Sequence, residues 1–262
     1  MPRRKIALII LACVIVVVGP IVYVWLFGFQ TMMALEVRYL YRKSPEAWQT
    51  PVALPDTSIS SIPHKKISYF GYELELPWDD VDEEKGKTIG TVHVTSFLSG
   101  NEFLFSTFPP KDFVNEIVKT GKFDPATFRQ IYGDDASQSD YGFHSAMLRI
   151  TPDSIDPFMS RRDAVRDSTL LVIKAIATPA CQSGIFEIQV SDLRGFQFES
   201  PLARPARITA ELFGEDGGID VGYYQKPGGS ARSITQPEIN RVLQSIHKVS
   251  AATAAPAAHP PQ

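Results

Sequence analysis

The chain has 262 residues, of which 44% are hydrophobic and 21% charged, and its formal net charge is −3. This composition is ordinary for a globular protein, and no basic face gives electrostatic support for nucleic-acid binding. The apolar content is enough for a hydrophobic core without metal or disulfide support. We therefore expect a protein that binds neither nucleic acid nor a cofactor.

An uncharged apolar run covers residues 6–29 and directly follows Arg3, Arg4 and Lys5. A helix over this run is about 36 Å long, more than the ~30 Å hydrocarbon core of a bilayer. A cleavable signal peptide has a shorter apolar core, and a lipoprotein modified at Cys13 would turn polar after that residue. The run predicts a single transmembrane helix that anchors the chain in the cell membrane.

Basic residues indicate the orientation of this helix. Residues 1–5 carry three positive side chains close to the membrane, whereas the basic residues after the run lie farther away. The positive-inside rule therefore predicts a cytoplasmic N-terminus and an extracytoplasmic domain, periplasmic or extracellular.

The remaining chain divides into three parts. Residues 30–63 begin with helical spacing and then become rich in proline, which predicts a juxtamembrane helix followed by a stalk. Residues 64–249 have the composition of one folded domain. Residues 250–262 form an Ala/Pro-rich tail that we expect to be disordered.

Strand and helix patterns within 64–249 predict the fold class. The residues of 70–76 alternate between apolar and polar or glycine, typical of a half-buried strand, and two hairpins are predicted over 88–108 and 207–224. Helices are predicted between these hairpins, and a capping box at Thr235 begins a closing helix that runs to about 249. This order predicts an α+β fold, a mostly antiparallel sheet with packed helices. The early hairpin and closing helix are broadly similar in order to PsbP-like α+β sandwiches, a likeness of fold that implies no activity.

Five acidic residues lie between positions 79 and 84, and Asp80, Asp82 and Glu84 have the spacing that begins a calcium-binding EF-hand loop. Such a loop needs glycine at its sixth position and glutamate at its twelfth, where this chain has Lys85 and Thr91. We interpret the cluster as a solvated turn after a strand, with weak Ca²⁺ binding as the alternative.

Cys181 is the only cysteine outside the apolar run, so no internal disulfide is available to it. Its expected role is that of a small buried hydrophobic residue. A nucleophilic role would require an imidazole beside it, from His144 or His93. No pair of histidines has the spacing of a zinc site.

These patterns favour a membrane-anchored protein with a non-enzymatic binding or assembly domain. Contact with a partner is expected at a sheet edge or in the cleft between sheet and helices. One alternative is a hydrolase that uses Cys181 with His144 or His93. The other is a carrier of a lipid or hydrophobic ligand, which would need a large apolar cavity.

Overall fold

A computed structural model describes residues 3–54, 59–60, 65–122, 124–178, 184–199, 207–225 and 234–249, with the backbone alone for residues 3–21. Cys181, the tail 250–262 and parts of the predicted stalk lie outside the described residues.

Helices and strands follow the order that the sequence predicts. The helices are α1 (Arg3–Tyr41), α2 (Pro45–Trp48), α3 (Asp112–Thr120), α4 (Pro125–Tyr132), α5 (Asp134–Gln138), α6 (Asp140–Arg149), a 3₁₀ turn (Pro152–Ser154), α7 (Arg161–Ala177) and α8 (Gln236–Ser245). The strands are β1 (Val52–Ala53), β2 (Lys66–Tyr69), β3 (Tyr72–Glu75), β4 (Lys87–Ile89), β5 (Val92–Ser96), β6 (Glu102–Phe108), β7 (Ile185–Val190), β8 (Leu193–Phe198), β9 (Arg207–Gly214), β10 (Gly217–Tyr224) and β11 (His247–Lys248).

Eight strands form the main sheet in the order β1-β7-β8-β9-β10-β6-β5-β4, and β11-β3-β2 form a smaller sheet. Every pairing is antiparallel except that of β1 with β7. The predicted α+β class, with a mostly antiparallel sheet and packed helices, is confirmed.

Both faces of the main sheet are covered, and β9 shows how its side chains divide between them. Ile208, Ala210 and Leu212 pack with α8 and the smaller sheet, on what we call the α8 face. Phe213 points to the opposite face and packs with α3, α4, α6 and α7, on what we call the α6 face. Each face therefore has its own hydrophobic core.

Three boundaries differ from the sequence predictions. The strand predicted over 70–76 starts only at Tyr72, because Phe70 (φ 49°) and Gly71 (φ 79°) form the β2–β3 turn. The strand predicted from residue 88 breaks at Gly90 (φ 59°), which separates β4 from β5. The closing helix ends at Ser245, since extended residues beyond it pair with β3 as β11.

Residues 30–54 belong to the segment that was predicted as a juxtamembrane helix and a stalk. They do not project as a linker but pack against the folded domain. Helix α1 continues to Tyr41, and its Ala34 and Val37 are buried against α7 and the loop before it. Ala47 of α2 joins the same cluster, and β1 pairs with β7. Proline did not prevent packing here, because Pro45 occupies the first turn of α2, where its missing N–H is harmless.

The predicted membrane span falls mostly on residues 6–21, whose side chains lie outside the described residues, although their backbone is helical. Within the part of the chain that the structure does describe, no helix is both long enough and apolar enough to cross a membrane.

Lys174 of α7 joins the N-terminal segment to the helical layer. Its side chain is fully buried, and Nζ lies 2.5 Å from the carbonyl oxygen of Gln49, 2.9 Å from that of Leu148 and 2.8 Å from that of Ile150. These carbonyls belong to the segment after α2 and to the end of α6. One ammonium group thus satisfies acceptors from two separate parts of the chain.

We predict that Lys174→Met lowers the free energy of unfolding by about 3 kcal/mol, because it leaves buried carbonyl groups without a donor. Chemical denaturation of the full chain measures this. Lys119→Met is the matched control, since that side chain is 82% exposed and its replacement should change stability by less than about 0.5 kcal/mol. Equal effects of the two substitutions would contradict the assigned role.

Candidate functional site

A cavity of about 280 Å³ opens on the α6 face, between the sheet and α3, α6 and the end of α7. It is lined by Phe108, Asp112, Phe113, Glu116, His144, Ala177, Glu211, Phe213 and Asp220. Four of these residues are acidic, three are phenylalanines, and no lysine or arginine is among the described residues that line it. The cavity therefore combines aromatic walls with an excess of carboxyl groups.

Strand register brings two of the carboxyl groups together. The β9–β10 hairpin places Glu211 directly opposite Asp220, and the β10–β6 pairing places Asp220 opposite Ser106. Ser106 Oγ donates a hydrogen bond of 3.4 Å to Asp220 Oδ2. Two like charges directly opposite one another destabilise a sheet, so the pair favours holding a proton.

The protonation of this pair is set mainly by burial. Burial and the nearby Asp220 raise the pKa of Glu211 from 4.5 to about 8. Burial raises the pKa of Asp220 to about 6, against the lowering effect of the Ser106 hydrogen bond. The Glu211 side chain keeps 27% of its surface exposed, so part of it can be reached from the cavity. At pH 7 the pair therefore holds about one proton.

His144 adds a neutral imidazole beside this pair. Its Nδ1 lies 2.9 Å from the carbonyl oxygen of Asp140, so Nδ1–H is the donor and Nε2 is the acceptor. Nε2 lies 3.5 Å from Glu211 Oε2, so it faces the carboxyl group of that residue. Burial lowers the pKa of His144. The Phe113 and Phe213 rings lie 4.4 and 4.9 Å from the imidazole and keep it in apolar surroundings.

Asp140 fixes the two helices over the cavity. Helix α3 begins after Lys111, which adopts a left-handed conformation and provides no side-chain cap. The Asp140 carboxylate supplies that cap from α6 by accepting the backbone N–H of Val114 at 2.9 Å. Since its carbonyl also holds His144, one residue at the start of α6 positions both the roof of the cavity and its imidazole.

Phe108 forms a wall of the cavity because glycine lies beneath it. A Cβ atom added at Gly218 would come 2.0 Å from the Phe108 ring. Any larger residue would displace the ring, so this glycine is required for close approach and not for backbone conformation.

The predicted catalytic residues do not meet in one place. His144 lies in the cavity, but His93 lies on the α8 face, opposite Phe105 in the β5–β6 register. Its ring stacks on Tyr69 at 3.9 Å, and its Nδ1 lies 2.7 Å from Thr88 Oγ1. The sheet therefore separates the two histidines. Cys181 lies outside the described residues.

Asp80, Asp82 and Glu83, three of the acidic residues after β3, each contact a different partner. Asp80 accepts the backbone N–H of Ser99 at 2.8 Å, and Asp82 pairs with Lys85 at 2.7 Å, which lowers the pKa of Asp82. Asp82 is buried, contrary to the predicted solvated turn, whereas Glu84 is exposed. Nowhere among the described residues are three His, Cys, Asp or Glu side chains grouped to hold a metal ion.

Glu211 and Asp220 were not predicted as site residues from the sequence, although their hairpin was. A signal was available: the Gly214–Gly218 turn fixes which residues pair, and it sets two acids opposite each other inside otherwise apolar strands.

Comparison of the chain with models of known families, with curated proteins and with solved structures found no match. The similarity to PsbP-like sandwiches therefore stays a prediction from the order of elements. The cavity must be interpreted from its own chemistry.

We predict that Glu211→Gln changes how stability depends on pH. The folded protein retains a proton that the unfolded chain loses above pH 4.5, so this stabilisation is present at low pH and lost as the pH rises to about 8. The glutamine variant should gain stability relative to wild type over this window, on the order of 2 kcal/mol given the partial exposure.

Denaturation of both proteins at several pH values from 5 to 9 measures this difference. Glu215→Gln, in the exposed β9–β10 turn, is the matched control and should follow the wild type. A difference between wild type and Glu211→Gln that does not change with pH would contradict the assigned burial.

Proposed function

We propose that this protein is a membrane-anchored binding module, without enzymatic activity, whose cavity on the α6 face accepts a small organic cation. The observation that supports this is the pairing of Glu211 with Asp220 at a cavity lined by four acids and three phenylalanines.

Charge favours a cation. Burying carboxyl groups without a positive partner is unfavourable, and the raised pKa values of Glu211 and Asp220 express that penalty. An ammonium group has hydrogen-bond donors and no acceptor. Placed between the two carboxylates, it would donate charge-assisted hydrogen bonds to both. Its binding would release the proton that the pair holds.

The walls favour an organic cation over a bare ion. Phenylalanine rings attract cations through their faces and pack against the apolar part of an amine. The acids that line the cavity are not grouped as metal ligands among the described residues. The volume of about 280 Å³ lies just below the usual range of ligand pockets, which favours a small ligand.

The other two roles considered from the sequence receive less support. An acyl chain would bury its apolar surface against carboxyl groups, which disfavours a lipid carrier at this cavity. A hydrolase would need Cys181 beside His144 or His93. The Nε2 of His144 faces Glu211, and His93 stacks on Tyr69 with its Nδ1 against Thr88. A protein partner at a sheet edge remains a prediction from the sequence.

Membrane attachment is the second part of the proposal. It is supported by the uncharged run 6–29, by the basic residues before it, and by the continuous helical backbone of α1 from Arg3 to Tyr41. The proposed orientation has the N-terminus in the cytoplasm and the folded domain outside it.

We predict that the full chain in detergent or nanodiscs binds benzylamine in preference to benzyl alcohol, its neutral analogue. Glu211→Gln and Asp220→Asn should each weaken binding at least about tenfold, because each removes a charge-assisted hydrogen bond. Calorimetry in buffers of different ionisation enthalpy should show release of about one proton per amine at pH 7.

Glu215→Gln should bind like the wild type, as it changes an acid outside the cavity. Equal affinities for the amine and the alcohol, or amine binding unaffected by both cavity substitutions, would contradict the proposed ligand class.

We predict that a reporter active only outside the cytoplasm is active when fused after Val249. The reason is that the positive residues before the span hold the N-terminus in the cytoplasm. A reporter active only in the cytoplasm, fused at the same position, is the matched control. Activity of the control alone would show that the orientation is inverted.

A further inference from the structure

Aromatic residues of α1 contact a loop that is distant in sequence. The Phe158 ring lies 5.4 Å from Phe27 and 6.1 Å from Tyr23, in edge-to-face geometry with both. In the same region, Gln30 Nε2 donates to the carbonyl oxygen of Met159. The loop before α7 is thus held against the last two turns of the apolar run.

Position along α1 gives the depth of this contact. The apolar run extends to Phe29, and Phe27 and Tyr23 precede its end by about 3 and 9 Å of helix rise. The interfacial layer on each side of a bilayer is only about 5–8 Å thick. If residues 6–29 span a membrane, the Phe158 ring must reach the boundary between headgroups and hydrocarbon.

The loop presents an apolar side chain outward at this depth. The Asp156 carboxylate accepts the backbone N–H of Phe158 at 2.6 Å, which shapes a tight turn at the tip. Phe158 is 67% exposed, and Trp25, on the face of α1 opposite Tyr23 and Phe27, is 83% exposed. Aromatic side chains at this level are typical of residues at a membrane interface.

Basic residues follow directly after the tip. Arg161 and Arg162 are exposed in the first turn of α7, and the Arg161 guanidinium lies 4.4 Å over the Phe29 ring. Asp163, the nearest acid in sequence, pairs with Arg166 at 3.0 Å. Arg161 therefore lies beside the last residue of the run, and the exposed Arg162 follows it in the same helical turn.

We propose that residues 156–162 form a bilayer-docking loop, in which Phe158 enters the interface beside α1 and Arg161 and Arg162 contact anionic lipid headgroups. The inference rests on the proposed membrane span. It adds that the folded domain lies directly on the bilayer and is not held away from it by a stalk.

Site-directed spin labelling of the full chain in nanodiscs tests the loop. Three proteins are prepared, each with a single nitroxide: on native Cys13, on the cysteine of Phe158→Cys, or on the cysteine of Leu98→Cys. In each protein the other cysteines are replaced by alanine. Leu98 is the matched control because it is 73% exposed in the β5–β6 turn. Collision with oxygen reports lipid, and collision with a nickel chelate reports water.

The label at position 158 should be at least about fivefold less accessible to the nickel chelate than the label at 98 in nanodiscs containing anionic lipid. Replacing both arginines, Arg161→Gln with Arg162→Gln, should remove the part of this protection that depends on anionic lipid, since each basic residue contributes about a fivefold factor near such a surface.

The outcomes separate the two proposals. Equal exposure at 158 and 98, with Cys13 in lipid, would overturn the docking loop and leave the span standing. Exposure of Cys13 to the nickel chelate would overturn the span, and the docking loop with it. Protection at 158 that is the same with and without anionic lipid would overturn the role of the arginines.

Discussion

The register of the β9–β10 hairpin determines the chemistry of the α6 face. Its short turn leaves no freedom in pairing, so Glu211 and Asp220 lie opposite each other in the middle of the sheet. A shift of one residue in this pairing would turn one strand over and move its acid to the α8 face, into a core of aliphatic and aromatic side chains. The favourable hairpin therefore brings an unfavourable pair of carboxyl groups together.

Other features of the helical layer accommodate that pair. Neutral His144 faces Glu211 without adding charge, and its tautomer is fixed by the Asp140 carbonyl. Asp140 in turn caps α3, so the cavity roof and the imidazole depend on one residue. Buried carboxyl groups with perturbed pKa values occur mainly at functional sites. The pair therefore supports a binding role more strongly than the acidic cluster after β3 does.

The sequence predicted the elements well where the signals were local. Thr235 with Glu238 forms the capping box of α8, as the spacing predicted. Short helices and strand breaks near Gly71 and Gly90 were less predictable, because positive φ there divides what periodicity suggests is one strand.

Long-range features could not be predicted in the same way. The separation of His93 from His144 depends on which face each strand and helix presents, and one sequence does not specify how the layers stack. The packing of α2 and β1 was hidden by a proline-rich composition that usually marks a linker. The pairing of Glu211 with Asp220 is different, because the short turn between β9 and β10 is a local signal that determines it.

The two proposed interfaces of the molecule are connected by a continuous set of contacts. Helix α1 packs on α7, Lys174 of α7 holds the residues after α2 and the end of α6, and the start of α6 carries Asp140 and His144 into the cavity. Contacts of this kind transmit strain only if an element on the path has two discrete arrangements. Helix α6 is the element to examine, because it is fixed at both ends by hydrogen bonds whose partners belong to different parts of the chain. A shift of α6 would move His144 relative to Glu211, and so would change the protonation of the carboxyl pair on which the proposed cation binding depends.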